Sequence, residues 1–146
     1  MSDAIDTSIL VAAIVAAEEF HAECARLLDA GKKLLYSHGL SEAFSTLTGG
    51  RRFRIAASTA SAILGEDYAP QVKVVGLSPG EILHVLSETE PRGVRGGAVF
   101  DYLHLAAARK AKAERFYTLN VSNFRAFHRP GDPQILHPAP LRARGD

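Results

Sequence analysis

Residues 96–124 read "GGAVFDYLHLAAARKAKAERFYTLNVSNF". After the paired glycines the run from 98 to 113 is rich in Ala and Leu, and its spacing predicts a long helix. "RFYTL", 115–119, is aromatic and predicts a strand, and "SNFRAF", 122–127, a short helical turn. At about 100° per residue, Leu105, Ala108 and Lys112 fall within roughly 40° of Asp101. For its first turns the helix is apolar all round apart from Asp101 and His104, the pattern of a buried helix. Asp101 therefore has two readings. It complements the helix dipole near the N-terminus, with Arg109, Lys110 and Lys112 at the other end. Or it is an acid held inside a cleft for metal or proton chemistry.

Working outward, helices and strands keep alternating. "SDAI" predicts a strand ending at Asp6, and Thr7 or Ser8 is placed to cap a helix through about Ala17. A second helix is expected over Glu18–Ala30, stopped by Gly31. "KLLYS", 33–37, reads as a buried strand. Leu40, Ala43, Phe44 and Leu47 form the stripe of a third helix, ended by Gly49 and Gly50. A helix is expected over 53–68 and a strand over 72–77, "VKVVGL". Ser78 and Glu81 have capping-box spacing with Pro79 at the first helical position. "PRGVRGG", 91–97, is a loop, and "QILHP", 134–138, a last strand. The alternation predicts a single α/β domain over 1–146, with a mainly parallel sheet and helices on both faces. In such folds ligands gather outside the carboxyl ends of the strands, where Asp6 and Asn120 fall.

The bulk properties bound the rest. A chain of 146 residues, 47% hydrophobic and 23% charged, is long enough for one real core. A net charge of +1 gives no global attraction to nucleic acid, so any such contact must use local patches. The lone cysteine, Cys24, forms no internal disulfide, which fits a reducing compartment. Asp3 and Asp6 stand where a signal peptide carries basic residues, and the apolar run Ile9–Ala17 is too short to span a bilayer. The expectation is a soluble cytoplasmic protein.

Glu42 lies roughly 200° from Leu40 on its helix, on the polar side with His38, Ser45 and Thr46, where a solvated glutamate would look the same. The histidines show no paired metal-ligand spacing, so His104 reads as a core or cleft-wall residue. Cys24 reads as core. "GVRGG" is a poor phosphate loop, lacking a following Lys-Ser/Thr. "GGRRFR", 49–54, is a basic turn, either solvated or able to hold phosphates through arginine and a base through Phe53.

Taken in order, "AIDTSILVAAI", "SHGLSEAFSTLT", the stretch from 96 to 124 and "QILHP" resemble the PIN-domain nucleases, especially the VapC-type toxins of bacterial toxin–antitoxin pairs. The resemblance implies a PIN-like fold with acids at the carboxyl edge of a parallel sheet, binding Mg²⁺ or Mn²⁺ and cutting RNA. Asp6, Glu42 and Asp101 match the three principal acids, as metal ligands around one ion. Thr7 or Ser8 would orient the Asp6 carboxylate. The family often carries a fourth acid where Asn120 stands, and no Asp or Glu occurs between Phe116 and Gly131 to replace it. Asn120 can donate or accept a hydrogen bond but brings no charge. The family further implies a homodimer and a small antitoxin partner. Since acids and RNA repel, phosphates need a basic rim, for which Arg51, Arg52, Arg54, Arg92 and Arg95 are the candidates. Two other readings stand beside this one. A degraded PIN-like module would bind RNA or protein without cutting, and Asn120 argues for it. A phosphoacceptor receiver domain would need an Asp ending a central strand, which "KLLYS" and "VKVVGL" lack.

Overall fold

The computed structural model describes residues 2–139. Its strands β1 (Asp3–Ile5), β2 (Lys33–Tyr36), β3 (Val72–Val75), β4 (Arg115–Tyr117) and β5 (Gln134–Leu136) form one sheet in the order β3-β2-β1-β4-β5. Every pairing is parallel, as the alternation predicts. Ala4 lies opposite Leu34 on one side and Phe116 on the other, which makes β1 the centre of the sheet. The single-domain expectation runs to 146, and its last seven residues lie outside the described ones.

Seven α-helices cover the two faces: α1 (Thr7–Ile14), α2 (His21–Asp29), α3 (His38–Gly49), α4 (Ala57–Ala62), α5 (Pro79–Ser87), α6 (Ala98–Lys110) and α7 (Val121–Phe127). Strand side chains alternate between faces, so neighbours in sequence enter different cores. Ala4 and Leu34 join Tyr102, Phe116 and Phe124 under α5, α6 and α7. Ile5 and Leu35 join Ile9, Leu10, Cys24 and Leu47 under α1, α2 and α3. A sheet buried on both faces explains why its strands are apolar throughout. The prediction for α6 holds, since every residue from Tyr102 to Ala108 is buried.

Several boundaries move. The first helix ends at Ile14, and Ala16 and Ala17 are exposed in the following turn, where apolar composition imitated helix without core contact. Glu18 belongs to that turn and α2 begins at His21. The α-helix expected from 53 begins at Ala57, because Ile55 N–H is bonded to the Leu47 carbonyl at 2.9 Å, and it widens into a π-turn over Ile63–Tyr68. The capping box at α5 is complete in both directions, Glu81 N–H to Ser78 Oγ at 3.1 Å and Ser78 N–H to Glu81 Oε1 at 2.8 Å. No helix among the described residues is long and apolar enough to cross a membrane.

All strands point the same way, so their carboxyl ends share one edge. Backbone bonds continue just past it, from Asp6 N–H to the Tyr117 carbonyl, Ser37 N–H to Val75 and Thr118 N–H to Leu136. Asp6, Ser37 and Thr118 thus open onto the same side.

Candidate active site

Asp6 is the N-cap of α1, its Oδ1 accepting from Ile9 N–H at 3.4 Å. This corrects the expectation that Thr7 or Ser8 caps the helix. A carboxylate with extended backbone suits the position, and both hydroxyls are used elsewhere. Ser8 Oγ donates to Asp6 Oδ1 at 2.6 Å and Thr118 Oγ1 donates to Asp6 Oδ2 at 2.7 Å. Those hydroxyls are themselves fixed, since Leu119 N–H donates to Ser8 Oγ at 3.1 Å and Asn120 N–H to Thr118 Oγ1 at 2.9 Å. Ser8 orients the Asp6 carboxylate as expected. Thr7 serves a different acid.

Thr7 Oγ1 donates to Glu42 Oε1 at 2.6 Å, and His104 Nε2 lies 2.6 Å from the same oxygen. The polar side of α3 therefore faces α1 and α6 as well as water. Gly39 makes this approach possible, since a Cβ there would lie 2.6 Å from Leu35 Cδ1 and 3.3 Å from His104 Cε1. His104 is buried, a cleft wall as the sequence suggests, and it also clamps Glu42. Its Nδ1 is buried without a partner among the described residues. Asp101 makes no hydrogen bond to any described residue and stands half-buried.

Asp6, Glu42 and Asp101 all line one cleft of 390 Å³ at the carboxyl edge of the sheet, together with Thr7, Ser8 and Asn120. The three acids come from three elements, and the fold brings them together. Glu18 lines the cleft too, an acid missed because its stretch reads as a helix start. Thr118, buried behind Asp6, was visible only as a strand residue. Asn120 is exposed at the cleft.

The electrostatics follow from crowding. Burial pushes the Asp6 carboxyl above its usual range, against the opposing effects of His104, Ser8, Thr118 and the Ile9 amide. Asp101 is also raised, by burial first and then by the charges of Asp6 and Glu42, with His104 opposing. Glu42 is held low: burial raises it, but the bonds from His104 and Thr7 outweigh that. Burial pushes the Cys24 thiol up to about 12, which removes it as a nucleophile and agrees with its reading as core.

The arginines divide. Arg52 pairs with Glu18 at 3.3 Å, which sets the basic turn beside the cleft. Arg54 Nε donates to the Gly50 carbonyl, and Arg51 is exposed. Arg95 is exposed on its loop. Arg92 is committed: its guanidinium pairs with Asp132 and its side chain is only 16% exposed, so it is not free to meet a phosphate without breaking that pair.

The PIN domain family matches residues 4–128. The chain belongs to the PIN-domain family. Solved structures similar to this PIN domain include Mycobacterium tuberculosis VapC20, described as a toxin cleaving the sarcin-ricin loop, at 22% identity and a TM-score of 0.62, covering 90% of this chain and 100% of that one. They also include VapBC2 from Rickettsia felis bound to a DNA fragment of its promoter, at 17% identity and a TM-score of 0.65 over 94% of this chain and 98% of that one. A toxin–antitoxin complex from Klebsiella pneumoniae is similar over 97% of this chain and 100% of that one, at 14% identity and a TM-score of 0.65. No curated protein matches the chain. At these identities the likeness is one of fold.

Members of the family use divalent metal ions, and the donors at this cleft suit one. Asp6, Glu42 and Asp101 offer only oxygens, the ligands hard cations take. Asp6 is a buried carboxylate bonded solely to neutral groups, so its charge has no hydrogen-bonded counter-ion. Among the described residues, however, no three or more His, Cys, Asp or Glu side chains are gathered closely enough to hold an ion as they stand.

Proposed function

We propose that this PIN domain is a divalent-cation-dependent endoribonuclease, the toxin of a toxin–antitoxin pair. The observation that carries the reading is the meeting of Asp6, Glu42 and Asp101 in one cleft at the carboxyl edge of the sheet. Mg²⁺ or Mn²⁺ held by these three would supply Lewis acidity toward the phosphate and a nucleophile from water near neutral pH.

The chain's own contribution is positional. Ser8 and Thr118 fix both oxygens of Asp6, so its orientation is set before substrate arrives. Thr7 and His104 fix one oxygen of Glu42 and leave Oε2 to the cleft. Asp101 carries no protein hydrogen bond, and its raised affinity for a proton lets its carboxylate accept one from the reacting groups. Asn120 adds a neutral amide at the fourth position, so the site has less negative charge to share with a second cation. The basic turn Arg51–Arg54 supplies the rim that the acids lack.

The toxin–antitoxin complexes among the similar structures support a small antitoxin partner and a homodimer acting in the cytoplasm. A second reading, a PIN-like module that binds without cutting, is favoured by Asn120. One experiment separates them. Asp101→Asn abolishes Mg²⁺- or Mn²⁺-dependent RNA cleavage while the circular dichroism spectrum and melting temperature hold. Wild-type protein that never cleaves RNA with either cation, or a variant that cleaves at the wild-type rate, overturns the nuclease reading.

A further inference from the structure

A second cleft, of 460 Å³, lies beside the first and shares Asp101 with it. Its lining differs in kind. The first cleft carries four acids, Asp6, Glu18, Glu42 and Asp101. Apart from the shared Asp101, the second has no acid, and its other charged group is the Arg92 guanidinium. Gly93, Gly97 and Ala98 leave its floor bare of side chains, and Phe127 closes the back. Asn123 stands at its wall, exposed and without a hydrogen bond to any described residue. Arg95 lies between the two lining glycines, and Arg125 between the lining residues Asn123 and Ala126. Both arginines are exposed, and neither forms a salt bridge among the described residues.

We infer that this second cleft is a subsite for the nucleotide next to the scissile phosphate, with Asn123 reading the base and Arg95 and Arg125 holding its phosphates. The inference rests on the nuclease reading and deepens it. A polyanion cannot lie wholly within the acid cleft, and a strand crossing Asp101 has this one direction in which the acids stop. The volume is within the usual range for a small-ligand pocket. An asparagine amide presents a donor and an acceptor together, matching the edge of an unpaired base. Arginine suits phosphate by its forked geometry.

The test is RNA binding in EDTA, which stops cleavage and separates binding from catalysis. Fluorescein-labelled oligo-A, oligo-C, oligo-G and oligo-U of about eight nucleotides, within the span of single-strand sites, are titrated by fluorescence anisotropy. Wild type is expected to prefer one of the four by roughly tenfold. Asn123→Ala should bring the four affinities within roughly twofold of one another. Ala98→Phe, at an exposed position, should fill the cleft and weaken all four by roughly tenfold. Arg95→Ala with Arg125→Ala should reduce the salt slope by about 1.4, for two phosphates released. If wild type binds RNA and none of these variants differs from it, the subsite is refuted, the cleft is left to a protein partner, and the nuclease reading stands on its own assay. If the variants behave as stated but wild type never cleaves, the nuclease reading falls and the subsite stands. If wild type binds none of the four, the subsite falls.

Discussion

Asp6 and Asp132 are almost equally withdrawn from water, yet their surroundings are opposite. Asp6 is 3% exposed, and the Asp132 side chain 2%. Asp132 is met by two guanidiniums, Arg92 and, at 3.2 Å, Arg109, with the Arg129 amide at 3.0 Å. Arg109 reaches on to Glu88 at 2.8 Å, and both arginines stand over the Tyr102 ring at 5.3 and 5.9 Å. Burial alone would raise the Asp132 carboxyl, but Arg92, the Arg129 amide and Arg109 hold it below the usual range. Asp6 has hydroxyls and an amide where Asp132 has cations, and burial raises it. One carboxylate is neutralised inside the protein and serves to fasten the 128–133 loop to α6. The other keeps its charge unbalanced, which is the condition of a group reserved for something the protein does not itself supply.

The widest gap between the two should appear in stability. Asp132→Ala strands two partly buried arginines and should cost about 3 kcal/mol, measured by urea unfolding. A loss well under about 1 kcal/mol would put Asp132 among ordinary surface ion pairs and dissolve the contrast.

A smaller effect tests the frame behind the acid cleft. Gly39→Ala should cost about 2 kcal/mol, because Leu35 or His104 must shift to admit the methyl group. RNA cleavage should fall as well, since the displaced imidazole is the one holding Glu42. An unaltered melting temperature would show that the close approach is soft.

The smallest effect is in pH dependence, and its sign differs between the two aspartates. The Asp6 pKa is raised on folding, so the native state holds its proton longer, and metal-free stability falls as pH rises from about 4 through the native value. Asp132 is lowered, so its contribution is present above about pH 4 and is lost as pH falls through the native value. Asp6→Asn should therefore flatten the decline above about pH 4 and change stability by less than about 1 kcal/mol at its foot. Asp132→Asn should flatten the acid limb instead. Thermal melts in EDTA across pH decide it, and identical curves for wild type and Asp6→Asn would mean that the Asp6 charge is compensated after all.

The contrast also shows what a sequence carries. Asp6 was legible because an acid between a short strand and an apolar helix stands out, and parallel sheets collect ligands at that edge. Asp101 was legible from the apolar circumference of its helix. Glu42 was not legible from its own surroundings, since a helix wheel cannot tell a cleft from solvent; only the family resemblance raised it. The partners were hidden for a different reason. Thr118 reaches Asp6 across 112 positions and His104 reaches Glu42 across 62, distances no local pattern spans. The clasp was hidden in the same way, because "PRGVRGG" and "RPGDP" each look like a charged loop until Arg92 and Asp132 meet.

Position 6 depends on position 118 because β1 sits in the middle of the sheet and pairs with β4. A growing polypeptide emerges from the ribosome amino end first, so Asp6 appears long before the hydroxyl that fixes it. High contact order of this kind delays assembly until the far partner is available. Almost the entire chain must be translated before the cleft has its walls, so an unfinished product released early would carry the acids without the arrangement that makes them useful. Truncation just before β4 should accordingly leave a polypeptide that is inert as well as unstable.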